Sequence, residues 1–283
     1  MEQNPTSLDE RIRGNHICWT YDSPEDHARI LVDFLMDGLA RNERTTYYGD
    51  AGSQDEIAQR LADLGLDLAA LGARNRLTFG DAREAYTPGG EFDPDARLAD
   101  FEAAAETALA DGFTGLRVAA ENTWLLDDPE ICRAWPAYEL RADLLTARMP
   151  IIGMCAYDLN QIHHDAVPMI AGLHRSVLGA DHGRSQFHLH ASAPGALEIS
   201  GRIGRAQERE LEIAALRAID DLTLAWLDVT DLDVNRQGVR LAARVAGALE
   251  QRGELPIIHG TTPEFRRLWR TINLDRIPDA ILN

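Results

Sequence analysis

Apolar positions along the chain follow two rhythms: short β-rich or continuously apolar runs, and longer stretches with helical spacing. The run HICWTY (16–21) is short and bounded by polar residues. PEDHARILVDFLMDGLARNE then carries apolar residues at helical spacing with Pro24 at its start, so an extended segment is predicted to feed a helix. TTYYGD (45–50), a helix over 53–67, RLTFGD (76–81) and a turn-rich loop over 86–94 come next. An Ala-, Glu- and Leu-dominated helix over 93–113 stops near Gly112. GLRVAAE (115–121), a helix around 129–147, MPIIGMCAYD (149–158) and a helix around 160–173 complete this half.

Strands alternating with helices of this length predict an α/β fold, with a mostly parallel sheet flanked by helices. Ligands of such sheets bind beyond the carboxyl ends of the strands. Here those ends carry Tyr48 to Asp50, Glu121 to Trp124, and Cys155 to Asp158. After the polar stretch 180–186 the pattern changes to two short strands, FHLHAS and ALEISGRI, joined through Pro194 and Gly195. A helix (206–219), a strand (222–229), a helix (237–251), a strand (254–259) and a helix (262–272) follow. The pattern therefore predicts two unlike α/β domains, 1–183 and 184–283, the second a β-β-α-β-α-β-α unit.

Charge narrows the function classes. There are 46 acidic residues against 28 basic ones, and all 28 are arginine. Without lysine the chain has no phosphate-loop lysine, Schiff base or lysine general base. An acidic chain with no basic run is a poor match for a phosphate backbone, so direct nucleic-acid binding is not expected. The acidic excess is spread along helices as a solvated surface that favours a basic partner. Three cysteines without a C-x-x-C pair suggest neither a disulfide framework nor a zinc knuckle, and imply a reducing compartment. No apolar run approaches the roughly 18 residues of a membrane span, and a cytoplasmic location is expected.

His16 and Cys18 are two apart on a strand, so they share a face and can jointly meet a ligand; as imidazole and thiolate they are also the metal candidates. The alternative is a small buried thiol beside a histidine bonded to backbone. Cys155, Tyr157 and Asp158 end a strand and project toward the crevice, where Cys155 can meet Cys18; for Asp158 the cap of a helix beginning near Leu159 is the favoured reading over ligand contact. Glu121, Asn122, Thr123 and Trp124 place a carboxylate, an amide, a hydroxyl and an aromatic ring at one crevice edge. Glu121 suits hydrogen bonding to a sensed molecule, with Trp124 as apolar contact. A carboxylate at a helix start and a core tryptophan are the competing readings. His163 and His164, adjacent on a helix, point apart. His188 and His190 share a strand face that reads as an exposed half.

The ordered runs HICWTY, FLMDGLARNERTTYYGD (34–50), EAYTPGGEFDPDARLADF (84–101), GLRVAAENTW (115–124) and MCAYDLNQI (154–162), with the later His174, resemble the MEDS sensory domain over residues 14 to about 178. The resemblance implies a RecA- or KaiC-like sheet without a working phosphate loop, and sensing of a small molecule or redox signal. The absence of G-x-x-x-x-G-K-[ST] agrees with it. It makes His16, Cys18, Tyr21, Glu121, Trp124, Cys155, Tyr157, Asp158 and His174 the expected ligand-binding set, and leaves the cofactor unnamed.

Residues 186–283 are similar to the STAS domain of anti-sigma factor antagonists, through LDVTDLDVNRQGVRLAARVAGALEQRGELPII (227–258) and LWRTINLDRI (268–277). That likeness implies an anti-sigma factor or kinase-like partner docking at Asn235, Arg236 and Gln237, where the antagonists carry a phosphorylated serine. Neither Arg236 nor Gln237 accepts a phosphoryl group, and Thr230 is the nearest hydroxyl. A homodimer is the default for such regulators. The alternative is an enzyme on a degenerate nucleotide-binding fold, with Glu121 and the His16/Cys18 pair as its chemistry.

Overall fold

The computed structural model describes residues 15–163, 166–179, 185–220, 226–272 and 279–283. His164, the start of the predicted 222–229 strand and the whole L-D-R-I tail lie outside the described residues. The chain divides into two compact units: Met1–Cys132 with Met149–His164 and Ser176–Gly183, and Arg133–Arg148 with Asp165–Arg175 and Arg184–Asn283.

The first unit is built on β1 (His16–Tyr21), β2 (Arg44–Gly49), β3 (Leu77–Asp81), β4 (Leu116–Glu121), β5 (Ile151–Asp158) and β6 (Ser176–Gly179). They form one sheet in the order β3-β2-β4-β5-β1-β6, with every pair parallel. Its helices are α1 (Pro24–Ala40), α2 (Ala51–Asp63), α3 (Leu68–Ala73), α4 (Ala82–Tyr86) and α5 (Pro94–Ala110). Local chemistry sets their starts: Ser23, Asp50 and Asp93 each accept first-turn N–H groups through their side chains, and proline opens α1 and α5. Gly112, at φ 87°, supplies the left-handed residue beyond α5.

Register gives the sheet two unlike faces. On one, Ile17, Trp19, Tyr47, Leu77, Ala119, Met154 and Ala156 pack against Leu31, Phe34 and Leu35 of α1 and Ile57 and Leu61 of α2. Each such large apolar side chain contributes about 1.5–3 kcal/mol by leaving water. Arg117 breaks this face. It is fully buried, donates from Nε to the Glu43 carboxylate, and holds its guanidinium 4.6 Å from the Phe34 ring centre. Gly38 lets α1 pass this close, because a Cβ there would sit 2.5 Å from Cδ of Arg117.

The second unit takes in most of α6 (Pro129–Arg148), then α7 (Val167–Gly172), β7 (Phe187–Ala193), β8 (Ala196–Gly201), α8 (Arg205–Asp220), β9 (Trp226–Asp228), α9 (Arg236–Gln251), β10 (Ile257–His259), α10 (Pro263–Thr271) and β11 (Ile281–Leu282). Its sheet runs β11-β10-β9-β8-β7, antiparallel in the β7–β8 hairpin and parallel elsewhere. Gly195, at φ 74°, makes the hairpin turn. Phe187, Leu189, Leu197, Ile199, Leu211, Leu227, Leu241 and Phe265 are among its core residues.

Several expectations change. The helix around 160–173 shrinks to α7, which has Pro168 in its first turn; ahead of it Asp158 holds a local turn, its Oδ1 accepting the N–H of Asn160 and its Oδ2 the side-chain amide of Gln161. Ser176–Gly179, read as neither helix nor strand, is an edge strand. His190 is buried rather than on an exposed strand half, since both faces of β7 are covered at that point. Among the described residues no helix is long and apolar enough to cross a membrane.

Candidate functional site

The second face of the first sheet carries the chemistry. Parallel register sets His16 beside Gly153 and Gly153 beside Val118, then Cys18 beside Cys155 and Cys155 beside Ala120. Thr20 pairs with Tyr157, and Asn122 follows Glu121 off the end of β4 on the same side. The three rows are spaced about 6.6 Å apart, two residues of strand rise each. His16, Cys18, Thr20, Asn122, Cys155 and Tyr157 are all buried. A sheet face closed from water is ordinarily apolar, because burying a polar group costs free energy unless it is partnered.

Some of that cost is met within the face. His16 Nε2 lies 3.6 Å from Cys155 Sγ, and Thr20 Oγ1 donates to the Leu178 carbonyl at 3.4 Å. Asn122 is fully buried, yet neither its amide oxygen nor its nitrogen has a hydrogen-bond partner among the described residues. Each such orphan costs about 1–3 kcal/mol. Gly153 leaves room on this face: a Cβ placed there meets only Cδ2 of His16, at 3.7 Å.

The first face ends in a carboxylate hub at the strands' carboxyl edge. Glu121 accepts the Tyr47 hydroxyl on Oε1 and the Ser53 hydroxyl on Oε2, the latter at 3.2 Å. His27 Nε2 approaches Oε1 to 2.9 Å, close enough for an ion pair but out of line for a hydrogen bond. The His27 ring stacks on Trp19 with 5.6 Å between centroids and lies 4.3 Å from that of Tyr21. Burial, and after it the Glu121 charge and hydrogen bond, push the Tyr47 hydroxyl far above its ordinary pKa. Tyr21 is raised by burial first, then by Glu121, Asp158 and Asp50. Those three carboxylates therefore converge on one edge, where β1 meets β5 and β4 meets β2 and the connections turn to opposite sides of the sheet.

The structure thus sorts the sequence candidates. His16, Cys18, Cys155 and Tyr157 share one face, whereas Tyr21, Glu121 and Asp158 belong to the other. Trp124 is half-buried at the edge, donating from Nε1 to the Glu121 carbonyl at 3.0 Å, with the Arg83 guanidinium 4.6 Å above its ring. His174 falls in the second unit. It is fully buried, its Nδ1 donates to the Ile170 carbonyl at 2.8 Å, and its Nε2 lies 3.4 Å from the buried Glu139 carboxylate. In that same unit Asn235 caps α9, accepting the Gly238 N–H at 2.8 Å, while Arg236 is exposed and Gln237 half-buried. Thr230 is exposed in the turn after β9.

Sequence reasoning did not select Thr20, His27, Tyr47 or Ser53, and named Asn122 only as part of the crevice edge. Period-two extension of the His16–Cys18 face reaches Thr20, and the same rule through TTYYGD reaches Tyr47. Nothing local points to His27 or Ser53, which sit on helices brought to Glu121 by the fold.

Residues 15–175 match the family model described as MEDS, the methanogen/methylotroph, DcmR sensory domain. The match spans more than half of the 283 residues and ends before the second sheet begins. No curated protein matches the chain.

Proposed function

The chain belongs to the MEDS family of sensory domains, and from that premise we propose that the polar face of β1, β4 and β5 takes up a small molecule and that the second domain relays its presence to a protein partner. The observation that carries this reading is Asn122, a fully buried amide with an unmet donor and an unmet acceptor among the described residues, at the carboxyl end of the face that also carries His16, Cys18, Thr20, Cys155 and Tyr157. A ligand offering both a donor and an acceptor relieves both orphans at once. His16, Cys18 and Cys155 add imidazole and thiol donors, a set that also suits zinc, copper or iron or a redox signal.

The strand order and the absence of a phosphate loop are in keeping with a RecA- or KaiC-like sheet put to binding rather than hydrolysis. Glu121 supports that choice, since both its oxygens are engaged by Tyr47 and Ser53 and it serves as an anchor. The hairpin-led sheet of the second domain, with an exposed Arg236 at the start of α9, supports a STAS-like dock for an anti-sigma factor or kinase-like protein.

The test is thermal unfolding of the full chain against panels of small polar molecules, divalent metals and nucleotides. A ligand at a hundred times its dissociation constant adds about 2.7 kcal/mol of stability. A shift in the wild type that Asn122→Leu abolishes supports the reading. No shift with any compound, or an equal shift in the folded variant, refutes it.

A further inference from the structure

A second place for a ligand lies at the other end of the first sheet, where the strands begin. A cleft of about 380 Å³ opens there between the last turns of α1 and the segment around α3. That volume lies in the range of roughly 300–1,000 Å³ typical of small-molecule sites. Met36, Leu39, Leu66 and Leu71 form apolar walls, and Arg74 and Arg76 complete the lining.

The arginines are the telling feature. Residues 1–183 hold 32 acidic residues against 15 arginines, so a guanidinium here has many carboxylates to choose from. Arg74 is exposed and makes no ion pair among the described residues. Arg76 donates from Nη2 to the Leu39 carbonyl at 3.0 Å, while its buried Nε has no hydrogen-bond partner among the described residues. Asp67 is the one carboxylate in the lining, and its Oδ1 is committed to the Ala70 N–H at 2.9 Å as the cap of α3. Apolar walls beside one exposed guanidinium and a second that is bonded through Nη2 to a backbone carbonyl suit an amphipathic anion. Arginine's planar fork matches a carboxylate in particular.

We propose that this cleft binds an aliphatic carboxylate, its chain against Met36, Leu39, Leu66 and Leu71 and its head group on Arg74 and Arg76. The site is separate from the polar face around Asn122 and does not depend on it.

Isothermal titration of octanoate into the full chain tests this, with octan-1-ol as the uncharged control and Arg74→Gln, Arg76→Gln and Asn122→Leu as variants. Saturable binding of one octanoate is expected, at least tenfold weaker for octanol and for each arginine variant, and unchanged in Asn122→Leu. Arg74 is exposed, so Arg74→Gln leaves the fold intact and its result stands alone if Arg76→Gln unfolds. Absence of saturable octanoate binding, equal affinity for octanol, or an unaltered Arg74→Gln overturns the proposal.

Discussion

His16 and Cys155 meet across neighbouring parallel strands with Nε2 3.6 Å from Sγ, and both are shut off from solvent. Cys18, the register partner of Cys155, is equally enclosed, whereas Cys132 is exposed. A thiol-specific reagent should therefore label Cys132 alone in the native protein and all three cysteines in denaturant, with mass analysis of peptides assigning the sites. Rapid native labelling of Cys18 or Cys155 would mean that the polar face is open to water.

The orphaned amide makes a prediction about stability. Replacing Asn122 by leucine removes two unmet polar atoms at similar volume, so the ligand-free variant should equal or exceed the wild type by up to about 1–3 kcal/mol in urea unfolding. Asn122→Asp places an unpaired charge in the same closed space and should cost several kcal/mol. A strongly destabilised Asn122→Leu would show that the amide is satisfied within the protein.

Arg117 tests the opposite face. Glu43→Ala leaves a buried guanidinium without its carboxylate and should cost about 3–5 kcal/mol, measured by denaturant titration. Gly38→Ala should also destabilise, by about 1–3 kcal/mol, since the new methyl meets Cδ of Arg117 at 2.5 Å and Oγ1 of Thr45 at 2.7 Å.

How far the sequence disclosed this arrangement depends on distance along the chain. The first five strands and the longer helices are legible because their periodicity and caps are local: Pro24 after Ser23, Asp93 before Pro94, Gly112 beyond α5. That His16 and Cys18 share a face follows from the pleat alone. Their meeting with Cys155 needs the order of strands, which the sequence does not contain. The Glu121 hub is hidden for the same reason, since Tyr47, Ser53 and His27 come from elements separated by long crossovers. The short edge strand Ser176–Gly179 is drawn into the sheet by pairing with β1 rather than by its own pattern. His190 misleads because alternation marks two faces without saying that both are covered.

His190 gives the second unit a pH signature. Its pKa is held below the ordinary 6.5, chiefly by burial, with the Asp143 and Glu198 carboxylates opposing the shift. The unfolded chain then binds this proton more readily than the folded one, so His190's contribution is fully present above about pH 6.5 and is lost as pH falls below it. His190→Gln should flatten the acid side of the stability curve between about pH 7 and 5, where histidine titrates. An unchanged slope in that variant would place the acid sensitivity elsewhere.

The account rests on a ligand held by the polar face of β1, β4 and β5, and native mass spectrometry of the full chain beside a denatured control addresses it most directly. The expected result is extra mass that is released on denaturation and depleted in Asn122→Leu and in His16→Ala/Cys155→Ala. A bare polypeptide mass in the wild type, indistinguishable from the variants after incubation with the small-molecule and metal panels, would contradict it.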